Sequence, residues 1–321
     1  MRETSRRLLP TRMARTVLMT GATGFIGRHL VAALCAGGDR VVALSRDARS
    51  ARSLLGPEVR VIASLDEVMR DERIDACVHL AGARVLGMPW TDSRRQTLIN
   101  SRTDLTLSLI EMMTRLERKP DVFACASAVG WYGKTDNASC NPCDETSPPQ
   151  PGQFQSDLCN AIERQASRAE SFGVRTVRLR FGVVLGHGGG MWPMQATMAR
   201  RGLLAVLGNG GQFLPWIHVT DAVGLTRLAI EDANIAGPIN VVAPEACNQG
   251  NFVRQLAHAF DRRVWLRVPE IPIRLMLGEM ADLLLDGQHV LPVAAMRTGY
   301  RFAFPTVKSA FDNLAGVGSQ D

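Results

Sequence analysis

The chain has 321 residues, 46% of them hydrophobic and 21% charged, with a formal net charge of +6. This is the composition of a soluble globular protein with one large or two smaller domains and a substantial core. Arg2, Arg6, Arg7, Arg12 and Arg15 against Glu3 hold +4 of the charge within the first fifteen residues. The body is therefore close to balance and calls for no nucleic acid or other acidic partner. No apolar run approaches the ~18 residues of a membrane span, so no membrane is expected. The arginine-rich start lacks the apolar core of a secretory signal. It reads as a disordered tail over 1–14, as an organelle presequence, or as sequence ahead of a start at Met13. Seven scattered cysteines fit reduced thiols in the cytoplasm.

In chain order, an apolar run over 16–20 predicts a first strand and 25–37 a first helix. Between them stand three glycines spaced Gly21-x-x-Gly24-x-x-Gly27. Strand, tight turn and helix in that order leave free N–H groups at a helix N-terminus, where the helix dipole also favours a phosphate. Gly21 can adopt a turn closed to other residues. Gly24 leaves room for a pyrophosphate, and Gly27 lets the helix lie tightly on the strand. Thr23, Phe25 and Ile26 fall on the same turn. A second strand over 41–44 runs straight into Ser45-Arg46. A carboxylate at that place selects NAD through the ribose 2′-OH, whereas an arginine accommodates the 2′-phosphate of NADP. No Asp or Glu ends this strand, and Asp47 comes only after Arg46, so NADP is the expected cofactor.

Strands follow over 59–63 and 75–83, the latter ending in small residues that let a cofactor approach the backbone. A long helix begins with Thr91 or Asp92 as its N-cap and runs to about 118. A fifth strand covers 122–126. The alternation predicts an α/β protein built on a doubly wound parallel sheet. Residues 134–153 read as a surface loop. It contains Cys140-Asn141-Pro142-Cys143, an incidental pair, because no second Cys or His pair completes a metal site. A helix over 156–171 and a strand over 174–180 come next. Gly186-His187-Gly188-Gly189-Gly190 is similar to an esterase oxyanion loop, but no Gly-x-Ser-x-Gly accompanies it, so it reads as a flexible glycine loop. Thr220 or Asp221 is expected to cap a helix ending near 232. A strand over 238–242 precedes a mainly helical region, 248–315, with a strand over 265–268. Its Leu/Met-rich stretch, 273–285, reads as core.

These residues resemble an extended short-chain dehydrogenase/reductase. The resemblance rests on Thr20 through Gly27, on His79-Leu80-Ala81-Gly82-Ala83 and on Trp216-Ile217-His218-Val219-Thr220-Asp221. The segments around Ser101-Arg102, 182–186, 213–218 and 277–305 narrow it to an atypical, epimerase-like branch with its own C-terminal domain. The resemblance implies a Rossmann-type cofactor domain over 15–184 and 217–244. A small, mainly helical substrate or lid domain takes 185–216 and 245–315. It implies backbone contacts to the cofactor at Leu80, Ala81, Gly82 and Val184, and a phosphate partner in Arg102. The substrate it implies is a small molecule, sugar-like in class.

That family's chemistry uses a Tyr with a Lys four residues on. This chain has two tyrosines, Tyr132 and Tyr300, and neither is so followed; the expected pair falls at Gln155 and Cys159. Three alternatives stand for the proton. Tyr132 acts with Ser127, His218 acts near neutral pH, or no such chemistry occurs. The function is then either that of an NADP-dependent oxidoreductase or epimerase, or that of a non-enzymatic NADP(H) sensor.

Overall fold

The structure is a computed structural model that describes residues 13–85, 87, 90–134 and 141–316. Residues 1–12 of the expected tail, and Cys140, lie outside the described residues. The first half alternates strand and helix: β1 (Thr16–Thr20), α1 (Phe25–Ala36), β2 (Arg40–Leu44), α2 (Ala48–Leu55), β3 (Arg60–Ile62), β4 (Ala76–His79), α3 (Asp92–Arg115), β5 (Val122–Ala128), α4 (Phe154–Ala166) and β6 (Arg175–Phe181). The second half begins with β7 (Val183–Gly186), β8 (Gly189–Gly190), α5 (Trp192–Arg200) and β9 (Ala205–Leu207). It continues with β10 (Trp216–His218), α6 (Val219–Glu231), β11 (Gly237–Val241), α7 (Gln249–Ala259) and β12 (Leu266–Val268), and ends in α8 (Glu270–Leu277), α9 (Asp282–Leu285), α10 (Val293–Arg297) and α11 (Val307–Gly316).

Seven strands form one parallel sheet in the order β11-β6-β5-β4-β1-β2-β3. The central strands β1, β2 and β4 carry continuous apolar runs because both faces are covered. Side chains alternate between two cores. Val17, Met19, Val41, Ala43, Ala76 and Val78 enter one. Leu18, Val42, Cys77, Phe123 and Cys125 enter the other. Each large side chain so buried contributes about 1.5–3 kcal/mol. Two buried carboxylates fix the sheet's lower rim: Asp75 accepts from the Thr16 amide at 2.9 Å and Asp39 from the Arg15 amide at 3.1 Å.

A third core gathers Trp192, Trp216, Phe252 and Phe311 from the later elements, beside the small sheets β10-β7-β8 and β12-β9. Three expectations change here. Thr91 caps α3 as expected, but α6 is capped by His218, whose Nδ1 accepts from the Thr220 amide at 3.2 Å. Asp221 is instead fully buried and accepts from the Ala303 and Phe304 amides at 2.8 and 2.9 Å. The glycine loop is packed, not loose: a Cβ on Gly189 would stand 2.4 Å from the Phe25 ring. The 273–285 stretch divides, with Ile273, Met280, Ala281 and Leu285 buried and Leu275 and Met276 on the surface. No helix of the described residues is long and apolar enough to cross a membrane.

Candidate cofactor cleft and its surroundings

A cleft of about 1080 Å³ opens above the C-terminal ends of β1, β2 and β4. Strand order reverses between β1 and β4, the place where open α/β sheets bind ligands. Gly21 holds φ +72°, and a Cβ there would lie 2.7 Å from the Ala81 amide. A Cβ on Gly27 would lie 2.1 Å from the Gly21 carbonyl, so the turn closes only with glycine at both positions. Gly24 is the N-cap of α1 and has no side chain to satisfy the first-turn amides, and no acidic residue stands in that turn. Those amides remain available to an anion. Thr23 lies exposed at the mouth, while Phe25 and Ile26 are half-buried beneath it.

The neighbouring strand end is shaped from below. Thr20 Oγ1 and His79 Nδ1 meet at 2.6 Å, and the Leu80 amide donates to the Thr20 carbonyl at 3.1 Å. Burial drives the His79 pKa down to about 4, so the ring is neutral and serves as a bracket. Ala81, Gly82 and Ala83 line the cleft. Arg102 lies under them and not among the lining residues. Its guanidinium donates to the Ala83 carbonyl at 2.8 Å and to Leu98 at 3.1 Å, and any side chain at Gly82 would strike it. Leu80 packs against the core below, and Val184 sits in β7 beside Ile217.

Ser45, Arg46 and Asp47 form the wall beyond β2. Asp47 caps α2, accepting from the Ser50 amide at 3.0 Å. Arg46 is exposed and forms no ion pair with a described carboxylate. Two parts of the cleft escaped the sequence reading. One is the turn Ala63 through Asp66, the other the α3 face with Thr97, Ser101, Leu105 and Ser108. The signal for the turn was present: Ser64 and Glu67 form a capping box immediately after β3.

The residues considered for proton transfer are otherwise engaged. Ser127 Oγ donates to Glu163 Oε1 at 2.8 Å. Glu163 accepts two further bonds from Arg180, at 2.8 and 2.9 Å. Arg180 also donates to Tyr132 Oη at 2.9 Å, and Tyr132 donates to Asn240 Oδ1 at 2.7 Å. The whole chain of contacts is buried. Burial pushes the Tyr132 hydroxyl up to about 12. His218 stands apart from the cleft, its ring 4.0 Å from that of Phe304. Burial first, then the nearby His187 and His29, lower its pKa to about 4. Gln155 and Cys159 lie on α4, both buried. The Cys159 thiol faces the Ala128 carbonyl at 3.6 Å, and burial raises its pKa to about 11. Gln155 Oε1 is buried with no hydrogen-bond partner among the described residues.

The chain is similar to known proteins in sequence and in fold. The NAD dependent epimerase/dehydratase family matches residues 17–243, and a domain of unknown function, DUF1731, matches residues 268–314. Epimerase family protein YfhF of Bacillus subtilis is 34% identical over 302 residues, covering 93% of this chain and 97% of its own. Epimerase family protein SDR39U1 of Homo sapiens is 32% identical over 303 residues, covering 93% and 99%. A crystal structure of human SDR39U1 (isoform 2) with NADPH superposes with a TM-score of 0.83 at 31% identity, covering 94% of this chain and 99% of that one. UDP-glucose 4-epimerase of Thermus thermophilus, in complex with NAD, shares the fold at a TM-score of 0.75 and 20% identity, covering 95% and 99%. The chain thus belongs to the NAD dependent epimerase/dehydratase family, in the atypical extended short-chain dehydrogenase/reductase branch that carries this C-terminal domain.

Proposed function

We propose that the chain binds NADP(H) in this cleft and exchanges a hydride with a small, polar, sugar-like substrate. The observation that carries the cofactor assignment is Arg46, which stands beside Ser45 and forms no ion pair with a described carboxylate, while Asp47 is spent on capping α2. A 2′-phosphate there meets a guanidinium rather than a carboxylate, at about 1.5–3 kcal/mol for each charge-assisted bond. The cradle fits the group, because Gly24 at the N-cap of α1 carries no side chain to cap the first-turn amides and no acidic residue stands in that turn. Gly21, Thr23, Gly24, Phe25 and Ile26 would hold the diphosphate, and Leu80, Ala81, Gly82 and Val184 would contact the remainder. Arg102 acts from beneath by fixing the Gly82–Ala83 backbone. NADPH in the human relative's crystal structure supports the same reading.

The bound nicotinamide supplies or accepts the hydride. In place of a tyrosine, this chain offers the Gln155 carboxamide, in the first turn of α4. Its amide can donate to a substrate carbonyl oxygen, aided by the positive end of the helix. It transfers no proton, so the proton comes from solvent. The later elements form the substrate side. Gln288 donates to the Gly133 carbonyl at 2.7 Å, and Lys134 pairs with Asp282 and Asp286 at 2.7 and 3.1 Å. A second reading, a non-enzymatic NADP(H) sensor, is favoured by the engagement of Ser127, Tyr132 and His218 in buried contacts.

One experiment separates the two. NADPH oxidation is followed across a panel of carbonyl compounds, with the wild type and Gln155→Ala. Turnover that falls at least about tenfold in the variant, with NADPH affinity kept, supports the enzyme. Bound NADPH left unconsumed across the panel supports the sensor.

A further inference from the structure

Two consecutive arginines near the start of α3 are treated differently. Arg95 pairs with Glu279, donates to the Trp90 carbonyl at 3.2 Å and lies 5.1 Å from the centre of the Phe154 ring. Arg94 is half-buried; its Nη2 donates to the Arg84 carbonyl, and its Nε is enclosed with no acceptor among the described residues. Arg102, two turns on, donates to the Ala83 carbonyl at 2.8 Å. Two guanidiniums thus hold consecutive carbonyls after β4. Burial lowers the Arg102 pKa, and the neighbouring Arg94 charge adds to the fall. No described carboxylate pairs with Arg84, Arg94 or Arg102. Glu279 is engaged by Arg95, and Asp92, two residues before Arg94, stands on a different side of the helix. Positive charge partly withdrawn from water without a counter-ion is costly, and an incoming anion offsets that cost.

Position decides which anion. Arg94, Thr97 and Ser101 are spaced i, i+3 and i+7, on one face of α3, and Thr97 and Ser101 line the cofactor cleft. The far end of this helix faces the turn beyond β3, where Arg115 donates to the Leu65 carbonyl. Arg94 lies about 30 Å from there along the axis, at 1.5 Å per residue. Arg46 takes the 2′-phosphate and the first-turn amides of α1 take the diphosphate, so neither cofactor anion is assigned to Arg94. Arg94 instead adjoins the Gln155 side. Trp90 donates to the Val85 carbonyl at 3.1 Å and packs edge-on against Phe154 with ring centres 4.9 Å apart. Phe154 directly precedes Gln155.

We propose that Arg94 recognises an anionic group of the substrate, a carboxylate or a phosphate monoester on a sugar-like frame. Arg102 stays beneath as a positioning residue that fixes the shelf. The inference rests on the reading of the cleft as an NADP(H) site that reacts with a small polar molecule.

The full chain is titrated calorimetrically with D-glucuronate, D-glucose 6-phosphate and D-glucose at constant ionic strength, with and without saturating NADP+. At least one anionic sugar binds about tenfold or more tightly than glucose. A preference for glucuronate identifies a carboxylate and one for the phosphate ester a phosphate; both support the proposal. Arg94→Gln removes the advantage over glucose, keeps the affinity for NADPH and does not lower the thermal unfolding midpoint, because the charge it removes is balanced by no described carboxylate. Arg94→Lys restores part of the advantage. The proposal is overturned if both anionic sugars bind no better than glucose, or if Arg94→Gln keeps their advantage. It is also overturned if Arg94→Gln weakens NADPH as much as the anionic sugars, which would give Arg94 to a cofactor phosphate. A lowered midpoint with equal losses for all three sugars would overturn it too, and make Arg94 a prop for the loop. Absence of NADP+ uptake would instead remove the cofactor reading, while the titrations without nucleotide still decide the role of Arg94.

Discussion

The Tyr132 hydroxyl donates a 2.7 Å hydrogen bond to Asn240 Oδ1, and its oxygen also accepts from Arg180. Strands β5 and β11 lie on either side of β6, so this bond ties the turn after β5 to the edge of the sheet. A tyrosine held in this way is a structural pin. Replacing it with Phe leaves a buried amide oxygen and a guanidinium N–H without a partner, at a cost of about 1–3 kcal/mol. Tyr132→Phe should lower the urea midpoint accordingly and leave the affinity for NADPH unchanged. A fall in turnover with no loss of stability would return the hydroxyl to the chemistry.

Glu163 and Arg180 form the centre of the same network, with both charges buried. Removing one partner strands the other charge, at about 3–5 kcal/mol. Removing both leaves no stranded charge. Arg180→Leu alone is therefore expected to be less stable than Arg180→Leu/Glu163→Leu. The comparison is made by denaturant unfolding, and the opposite order would show that the pair is not the main determinant.

Most of the sheet could be read from the sequence because the apolar runs of β1, β2, β4 and β5 are short, continuous and bounded by turn residues, whereas β6 interleaves its apolar residues with Arg175, Arg178 and Arg180. Three glycines at fixed spacing needed no long-range contact to announce the cradle. The proton-transfer residues were harder to place, because their environment comes from distant parts of the chain. Nothing near Tyr132 points to Asn240 or Arg180, and nothing near Ser127 points to Glu163. Asp221 looked like a helix cap until Ala303 and Phe304 arrived from the far end of the chain. The α8 surface was misread because a Leu/Met-rich run carries no label for which side faces water. Periodicity separates the two faces only once the partners of Ile273 are known.

Gly27 tests the cradle. A Cβ there overlaps the Gly21 carbonyl at 2.1 Å, and both atoms belong to rigid elements. Gly27→Ala should push α1 away from β1, destabilise the fold by at least about 2 kcal/mol and abolish NADPH binding. Gly38→Ala is the control for a glycine that is not packed, because its Cβ would meet nothing within 4 Å. It carries only the strain of its positive φ and should keep NADPH binding. Equal loss of binding in both variants would mean that general backbone disruption, not the close approach, is being measured.

Arg46 tests the choice between cofactors. Arg46→Ala should weaken NADPH about tenfold or more, at ~1.4 kcal/mol per decade, and leave NADH nearly unchanged. Isothermal titration with each nucleotide reads this directly. Equal losses for both would remove the 2′-phosphate from Arg46 and leave Thr97, Ser101 and Ser108 on the opposite wall as its candidate partners.

Two buried histidines set the response to acid. Burial lowers the pKa of His79 and of His218 to about 4, from an ordinary value of 6.5. Between those values the unfolded chain binds protons that the folded chain does not, so stability rises with pH across this window. It is complete above about pH 6.5 and falls away as pH drops toward 4. For His79, which makes one buried bond to Thr20, the full effect is about 3 kcal/mol. For His218 the loss has a visible cause: a protonated Nδ1 can no longer accept from the Thr220 amide and uncaps α6. Carboxylates titrate mostly below this range, so the interval from pH 6.5 to 5 isolates the histidines. Denaturation measured across it should slope upward with pH, and His79→Gln should reduce the slope. A flat profile in the wild type would mean that both rings reach solvent before the fold opens.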